Sequence, residues 1–322
     1  MVIDEFKIID KYFNRFKKKD KYLIKGIGDD CAVVQIPKNK ALSISTDTLV
    51  EGIHFLKNIH PIDLSYKALA VNLSDLAAIG AEPKWLTLSI TMPYINLKWI
   101  KFFSKNLIKL IYKNNMKLIG GDTTRGPLSI TISAYGLIPK GKGLFRTGAK
   151  NGDLIYVTGT LGDSAAGFDL LTKKISIKNN RIYNILVKKH LRPIARISQG
   201  KILRDIATSA IDVSDGLIMD LKHILDSSQC GANLNLENFP ISKILKKNFN
   251  KKNWIKWALY SGEDYELCFT IPEKQKKYLD NLMKFCKVPY THIGNITELK
   301  KGYKLLEFKK SIKFNKKGFN HF

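Results

Sequence analysis

Residues 67–83, KALAVNLSDLAAIGAEP, decide how the first half of the chain is read. Alanine and leucine dominate the stretch, Gly80 ends it and Pro83 lies just beyond, so it predicts a helix with its own stop signal. Strand-like runs flank it, ALSISTDTLVEGIHF (41–55) before and WLTLSITMP (85–93) after. An amphipathic helix follows in WIKFFSKNLIKLIYKNN (99–115). MKLIGGDTTRG (116–126) then reads as a strand running into a Gly-Gly-Asp loop, and LSITISAYGLIP (128–139) alternates as a strand. Upstream, Ile3, Phe6, Ile9, Phe13 and Phe16 predict a helix over residues 1–18, and GIGDDCAVV (26–34) is turn-rich. Mixed strands and helices in this order argue for an α/β first domain.

A boundary is expected where RTGAKNGD (146–153) collects Gly, Asn and Asp, dividing the chain into domains 1–148 and 149–322. The second domain opens with an apolar strand at LIYVTGT (154–160) and a Gly-rich turn, GTLGDSAAG (159–167). It continues through a Pro-broken helical region around 191–206, SAIDVSDGLIMDLKHIL (209–225) and a strand-like LYSGEDYELCFTIP (259–272). This mixture reads as α+β. At 322 residues, two domains are expected over one. The Lys- and Asn-rich segments 172–190 and 240–256 carry no motif.

No run approaches the roughly 20 apolar residues that span a bilayer, and the first residues carry acids where a signal peptide would be apolar. A cytoplasmic protein without membrane contact is expected. Cys31, Cys230, Cys268 and Cys286 form no C-x-x-C pair, which points to reduced, mostly buried thiols. The charge of +26, from 54 Lys and Arg against 28 Asp and Glu, ordinarily suggests nucleic acid. Only seven of the 54 are arginine, the residue whose planar fork reads bases and phosphates, and the lysines are scattered. Solvated surface is therefore expected instead of a nucleic-acid partner.

The chemistry lies in the aspartates. Asp29 and Asp30 follow Gly28, Asp47 follows Ser45 and Thr46, Asp122 follows Gly120 and Gly121, and Asp212 and Asp215 flank Val213 and Ser214. Each is read as a carboxylate at a strand end or turn, with no nearby Lys or Arg to pair it. Aspartate also favours turns and caps for local reasons. Asp75 sits on a largely apolar helix, so it either faces solvent on a narrow stripe with Asn72 or meets a metal. A cluster of carboxylates without His or Cys favours Mg²⁺, which completes its shell with water and phosphates. Phosphoryl chemistry follows. Yet no G-x-x-x-x-G-K-[ST] loop and no protein-kinase motif is present.

Taken in order, GIGDDCAVV (26–34), STDTLVEGIHF (45–55), KALAVNLSDLAAIGAEP (67–83), GGDTTRG (120–126), FRTGAKNGD (145–153), VTGTLGDSAAG (157–167), RP (192–193), AIDVSDGL (210–217) and SGEDYEL (261–267) resemble the thiamine-monophosphate kinases. The resemblance spans most of the chain. It implies the two-domain aminoimidazole ribonucleotide synthetase-like fold, α/β then α+β, with the N-terminal domains pairing in a homodimer and ATP and metals in a cleft. It also implies the last step of thiamine diphosphate formation, ATP-dependent phosphorylation of thiamine monophosphate. Asp30, Ser45, Thr46, Asp47, Asp75, Asp122, Asp212 and Asp215 match magnesium ligands. Gly121, Asp122, Arg146 and Ser214 match ATP contacts, and His54, Glu263 and Phe319 match the substrate site, with Phe322 an alternative to Phe319. His54 could otherwise close a turn, and Glu263 could be a surface acid. No residue is expected as a covalent nucleophile, since the acceptor phosphate is itself nucleophilic.

Two other readings differ in kind: another ATP-dependent enzyme of the same superfamily, and a basic nucleic-acid-binding protein. Selenophosphate synthetase is disfavoured, because no Gly-rich Cys or selenocysteine loop precedes GIGDD.

Overall fold

The structure, a computed structural model, describes residues 5–14, 20–284, 286–312 and 314. Two units divide the chain: Met1–Leu76 with Ala81–Gly141, and Ala77–Gly80 with Lys142–Phe322. Residues 142–148, which the sequence places at the end of the first domain, thus group with the second unit, where Leu144 is buried in a core with Tyr156 and Phe269.

In the first unit, helix α1 (Glu5–Ile8) continues into a π-helical turn, Ile9–Phe13. Strands β1 (Leu23–Lys25) and β2 (Val33–Val34) form a small antiparallel ladder around the GIGDD turn. The main sheet uses β3 (Lys40–Val50), β4 (Glu82–Met92), β5 (Lys117–Arg125) and β6 (Ser129–Pro139) in the order β3-β6-β4-β5. Helix α2 (Pro61–Ala78) connects β3 to β4. Helix α3 (Leu97–Lys113) makes the crossover that the parallel β4–β5 pair requires. Ile100, Phe103, Leu107 and Ile111, three or four residues apart, are fully buried along α3, as its amphipathic pattern predicts. In β6, Ile130, Ile132 and Ala134 are buried, while their neighbours Thr131 and Ser133 bond across to Thr48 and Thr46. This period of two gives the sheet one apolar and one hydroxyl-lined face.

The second unit holds β7 (Leu154–Thr158), α4 (Asp163–Leu171), α5 (Asn180–Leu191), α6 (Ile197–Leu203), β8 (Ser209–Asp212), α7 (Leu217–Ser228) and β9 (Cys230–Asn235). It continues with α8 (Lys243–Asn248), α9 (Lys251–Tyr260), β10 (Leu267–Ile271), α10 (Lys276–Met283), β11 (Tyr290–Glu298), β12 (Tyr303–Glu307) and β13 (Lys310–Ile312). The strand order is β13-β12-β9-β11-β7-β10-β8, parallel only where β12 meets β9. Every residue of β7 and β10 is buried, because the sheet is covered on both faces. Ile155 and Val157 enter one core with α4 and α7, whereas Leu154 and Tyr156 enter a second with Phe269 and Leu279.

Three expectations change. The helix expected over residues 1–18 is helical in its described part only over Glu5–Phe13, and its last turn is π-helical. The Gly-Gly-Asp segment is no loop: β5 runs through it to Arg125, because β4 pairs with it residue by residue from Gly120 to Arg125. In LYSGEDYELCFTIP the strand begins only at Leu267; Leu259 and Tyr260 close α9 and residues 261–266 are irregular.

Candidate active site

In the first unit, a cavity of about 800 Å³ is lined by Asp29, Asp30, Gly121 and Asp122, with Ile9 and Phe13 from the N-terminal helical segment on its wall. Two separate stretches of chain, the GIGDD turn and mid-β5, thereby bring Asp30 and Asp122 to one space. Gly121 is required there. A Cβ on it would stand 1.9 Å from the Leu88 carbonyl oxygen of β4, so only glycine lets the strand keep its pairing while baring its backbone to the cavity. Asp47 and Asp122 both lie inside strands, where a strand end was expected for Asp47 and a strand end or turn for Asp122. Side chains on a strand alternate between faces, and that alternation aims them more firmly than a turn would.

The stripe reading of Asp75 does not hold, since Asn72 is fully buried and its amide donates to the Ala68 carbonyl. Asp75 is half-buried, and Ser45 Oγ of β3 donates to its Oδ2, which joins two of the expected metal ligands across α2 and β3. Thr46 Oγ1 lies 2.8 Å from Ser133 Oγ. Asp29 also departs from expectation: Lys25 lies 2.9 Å away and, with the Asp30 N–H, holds the Asp29 carboxyl below the usual range.

His54 does close a turn. Its Nδ1 accepts from the Val50 N–H at 3.0 Å, so in the neutral ring the hydrogen sits on Nε2, which becomes a donor. Lys67, fully buried, donates to the His54 carbonyl at 3.1 Å and so ties α2 to this turn.

In the second unit, Asp212 ends β8 and is 4% exposed, and Ser214 and Asp215 occupy the turn before α7. The Asp215 N–H donates to Asp220 Oδ2 at 3.1 Å. Burial first, then the neighbouring charges of Asp212 and Asp215, push the Asp220 carboxyl up to about 8. The turn is tied to SGEDYEL by backbone bonds, from Glu263 N to Ser214 O at 2.7 Å and from Tyr265 N to Val213 O at 2.9 Å. Glu263 is not an isolated surface acid, because its Oε2 lies 3.2 Å from His190 Nδ1. Arg146 is exposed, and its carbonyl accepts from Ser228 Oγ at the end of α7. Phe319 and Phe322 lie outside the described residues. Of the thiols, Cys230 and Cys268 are buried, Cys286 is intermediate and Cys31 is exposed, so only half of them meet the expected burial.

Among the described residues, no three His, Cys, Asp or Glu side chains gather into a ready-made metal cage. The donor set still fits Mg²⁺. It consists of oxygen ligands from carboxylates and hydroxyls, and Mg²⁺ commonly takes one or two carboxylates and fills its shell with water and phosphate oxygens. Among the described residues, no helix is long and apolar enough to cross a membrane.

Family models for AIR synthase related proteins match this chain twice, the N-terminal domain over residues 28–138 and the C-terminal domain over 150–305. The thiamine-monophosphate kinase of Buchnera aphidicola subsp. Acyrthosiphon pisum (strain APS) is 61% identical over 322 residues, 100% of both chains. The chain belongs to the thiamine-monophosphate kinase family. Solved structures of thiamine-monophosphate kinases agree. The crystal structure from Stenotrophomonas maltophilia K279a is 36% identical, with TM-score 0.83 over 95% of this chain and 96% of that one. A structure described as AaThiL complexed with AMPPCP and TMP is 32% identical, with TM-score 0.76 over 99% of this chain and 97% of that one.

Sequence reasoning passed over three residues near these sites: Lys67, His190 and Asp220. Asp220 stands in the first turn of α7, five residues beyond Asp215, a helical placement that a search for aspartates beside glycines does not detect. His190 falls at the end of the Lys- and Asn-rich segment 172–190, which carries no motif.

Proposed function

We propose that this chain transfers the γ-phosphoryl group of ATP to thiamine monophosphate, giving thiamine diphosphate and ADP by direct in-line transfer. The observation that carries this reading is the full-length relative solved with both AMPPCP and TMP. Asp30, Ser45, Thr46, Asp47, Asp75, Asp122, Asp212 and Asp215 would hold Mg²⁺. When bound, Mg²⁺ supplies positive charge that offsets repulsion between two phosphate groups and stabilises the transferring phosphoryl.

The chain's own groups do the rest. The Gly121 backbone lies open to the cavity that Asp30 and Asp122 share, which suits close approach of a nucleotide phosphate. Arg146, Ser214 and Asp122 complete the proposed ATP contacts, and Arg146 offers a planar fork of donors. His54, its Nδ1 occupied by the Val50 N–H, presents Nε2–H as a donor to the substrate phosphate. Glu263 meets the cationic ring, and Phe319 stays the proposed aromatic partner. The acceptor phosphate oxygen is ionised at neutral pH, so no side chain has to deprotonate it.

The proposed homodimer pairs the N-terminal units. The eleven-residue β3 is an edge strand, with β6 its one strand neighbour among the described residues, and it exposes Ile44 at 62%. An edge of this kind is protected by pairing, and sedimentation at micromolar concentration reads the mass.

The deciding experiment is a product assay with ATP, Mg²⁺ and either thiamine monophosphate or free thiamine. Thiamine diphosphate from the monophosphate alone is expected; equal or faster turnover of free thiamine would overturn the reading.

A further inference from the structure

We propose that His190 is a positioning residue for Glu263, holding its carboxylate in the orientation that receives the cationic ring of the substrate. This rests on the reading that Glu263 contacts the substrate.

Two sets of contacts fix Glu263 from different directions. Its backbone is left-handed, at φ 59°, although it is not glycine, and Tyr265 two residues on is left-handed as well, at φ 52°. Such a conformation persists only where the surroundings over-determine it. The bonds from Glu263 N to Ser214 O and from Tyr265 N to Val213 O do so here, and they lock the segment to the turn carrying Asp215. The side chain remains to be placed, and it has several rotatable bonds of its own.

His190 supplies that placement. A carboxylate can only accept, so across the 3.2 Å contact between His190 Nδ1 and Glu263 Oε2 we assign the donor to the ring, with its hydrogen on Nδ1. Ser164 Oγ, also 3.2 Å from Nδ1, is a second partner for the same nitrogen. The Phe168 ring, tilted at 5.1 Å between centroids, limits rotation of the imidazole. The His190 side chain is 8% exposed while that of Glu263 is 30% exposed, so the carboxylate is held from behind and presented at the surface. The supporting helices meet closely. A Cβ on Gly167 of α4 would stand 2.2 Å from the Leu186 carbonyl of α5, so glycine lets α5 bring His190 against Ser164 and Phe168. A group held this way loses little freedom on binding, which favours substrate affinity over the chemical step.

The test measures kcat and separate KM values for thiamine monophosphate and ATP, with thermal unfolding, on the full-chain enzyme. His190→Ala is expected to raise the KM for thiamine monophosphate about tenfold and leave that for ATP within about twofold. His190→Asn, whose amide nitrogen can replace Nδ1 as donor, should recover to within about threefold of the wild type. In His190→Ala/Glu263→Gln, the KM should be no higher than in Glu263→Gln alone. If His190→Ala does not fold, His190→Asn decides: a KM for thiamine monophosphate as high as that of Glu263→Gln overturns the proposal. So does an equal rise in both KM values. An unchanged KM in Glu263→Gln would instead defeat the reading of Glu263, whereas a raised KM there with an unchanged one in His190→Ala defeats the positioning role alone.

Discussion

Asp220 is 2% exposed and shares its surroundings with Asp212 and Asp215, and its carboxyl is pushed up to about 8 by burial and by those two charges. In the unfolded chain it titrates near the ordinary aspartate value of about 3.9. Between those values the folded state holds a proton that the unfolded state lacks, so this group's contribution to stability is fully present below pH ~4. It is lost as pH rises through about 8. The slope it adds approaches about 1.4 kcal/mol per pH unit. Melting in the presence of a chelator is expected to show stability falling across this window, and Asp220→Asn should flatten that fall. A variant with the wild-type slope would assign the pH dependence elsewhere. The ligand carboxylates make a separate prediction. Asp47→Asn, Asp75→Asn, Asp122→Asn and Asp212→Asn each remove charge and almost no volume, so each should lower kcat/KM at least ~100-fold with little change in Tm. Near-wild-type rates in two or more would remove the metal assignment.

At the scale of elements, α3 shows how local signals and packing cooperate. Asn96 caps it, its side-chain oxygen accepting from the Trp99 N–H at 3.0 Å, and Ile100, Phe103, Leu107 and Ile111 anchor its inner face. Asn96→Ala leaves that backbone donor without its cap and should cost about 1 kcal/mol, read as a lower denaturant midpoint with unchanged slope. This helix carries the crossover that sets β5 parallel to β4, and β5 carries Gly121 and Asp122. The site's precision here derives from a strand whose backbone is paired residue by residue with β4, which constrains it more than a loop would be constrained.

For the whole molecule, the charge of +26 is the property most easily taken for function. Polyanions will be attracted at low salt simply because of it. With 54 Lys and Arg of which only seven are arginine, binding of labelled duplex DNA or RNA should weaken to roughly 10⁻⁴–10⁻⁶ M near 0.15 M salt, the range of non-specific association. Sub-micromolar, sequence-discriminating binding at that salt would reinstate a nucleic-acid role.

Periodicity and composition were enough to establish the mixed α/β class of the first half, the stop of α2 at Gly80 and the amphipathic face of α3. Each depends on residues three or four apart, or on one residue's own backbone preference. The ordered set of Asp- and Gly-containing motifs was enough to indicate the family. Sequence alone misplaced Gly120–Asp122 as a loop, because glycine signals a turn unless a neighbouring strand pairs with it, and that strand, β4, lies about thirty residues earlier in the chain. It likewise divided the apolar runs of β7 and β10 among no particular partners, since a strand buried on both faces has lost the alternation that would reveal its facing. Most of all, it left His190 unread. Nothing within its own helix marks a histidine among lysines as special; Ser164 lies 26 residues before it and Glu263 lies 73 residues after it. Long-range contacts of this kind exist only once the chain has folded, because they depend on which helix faces which loop and not on any residue's local preference.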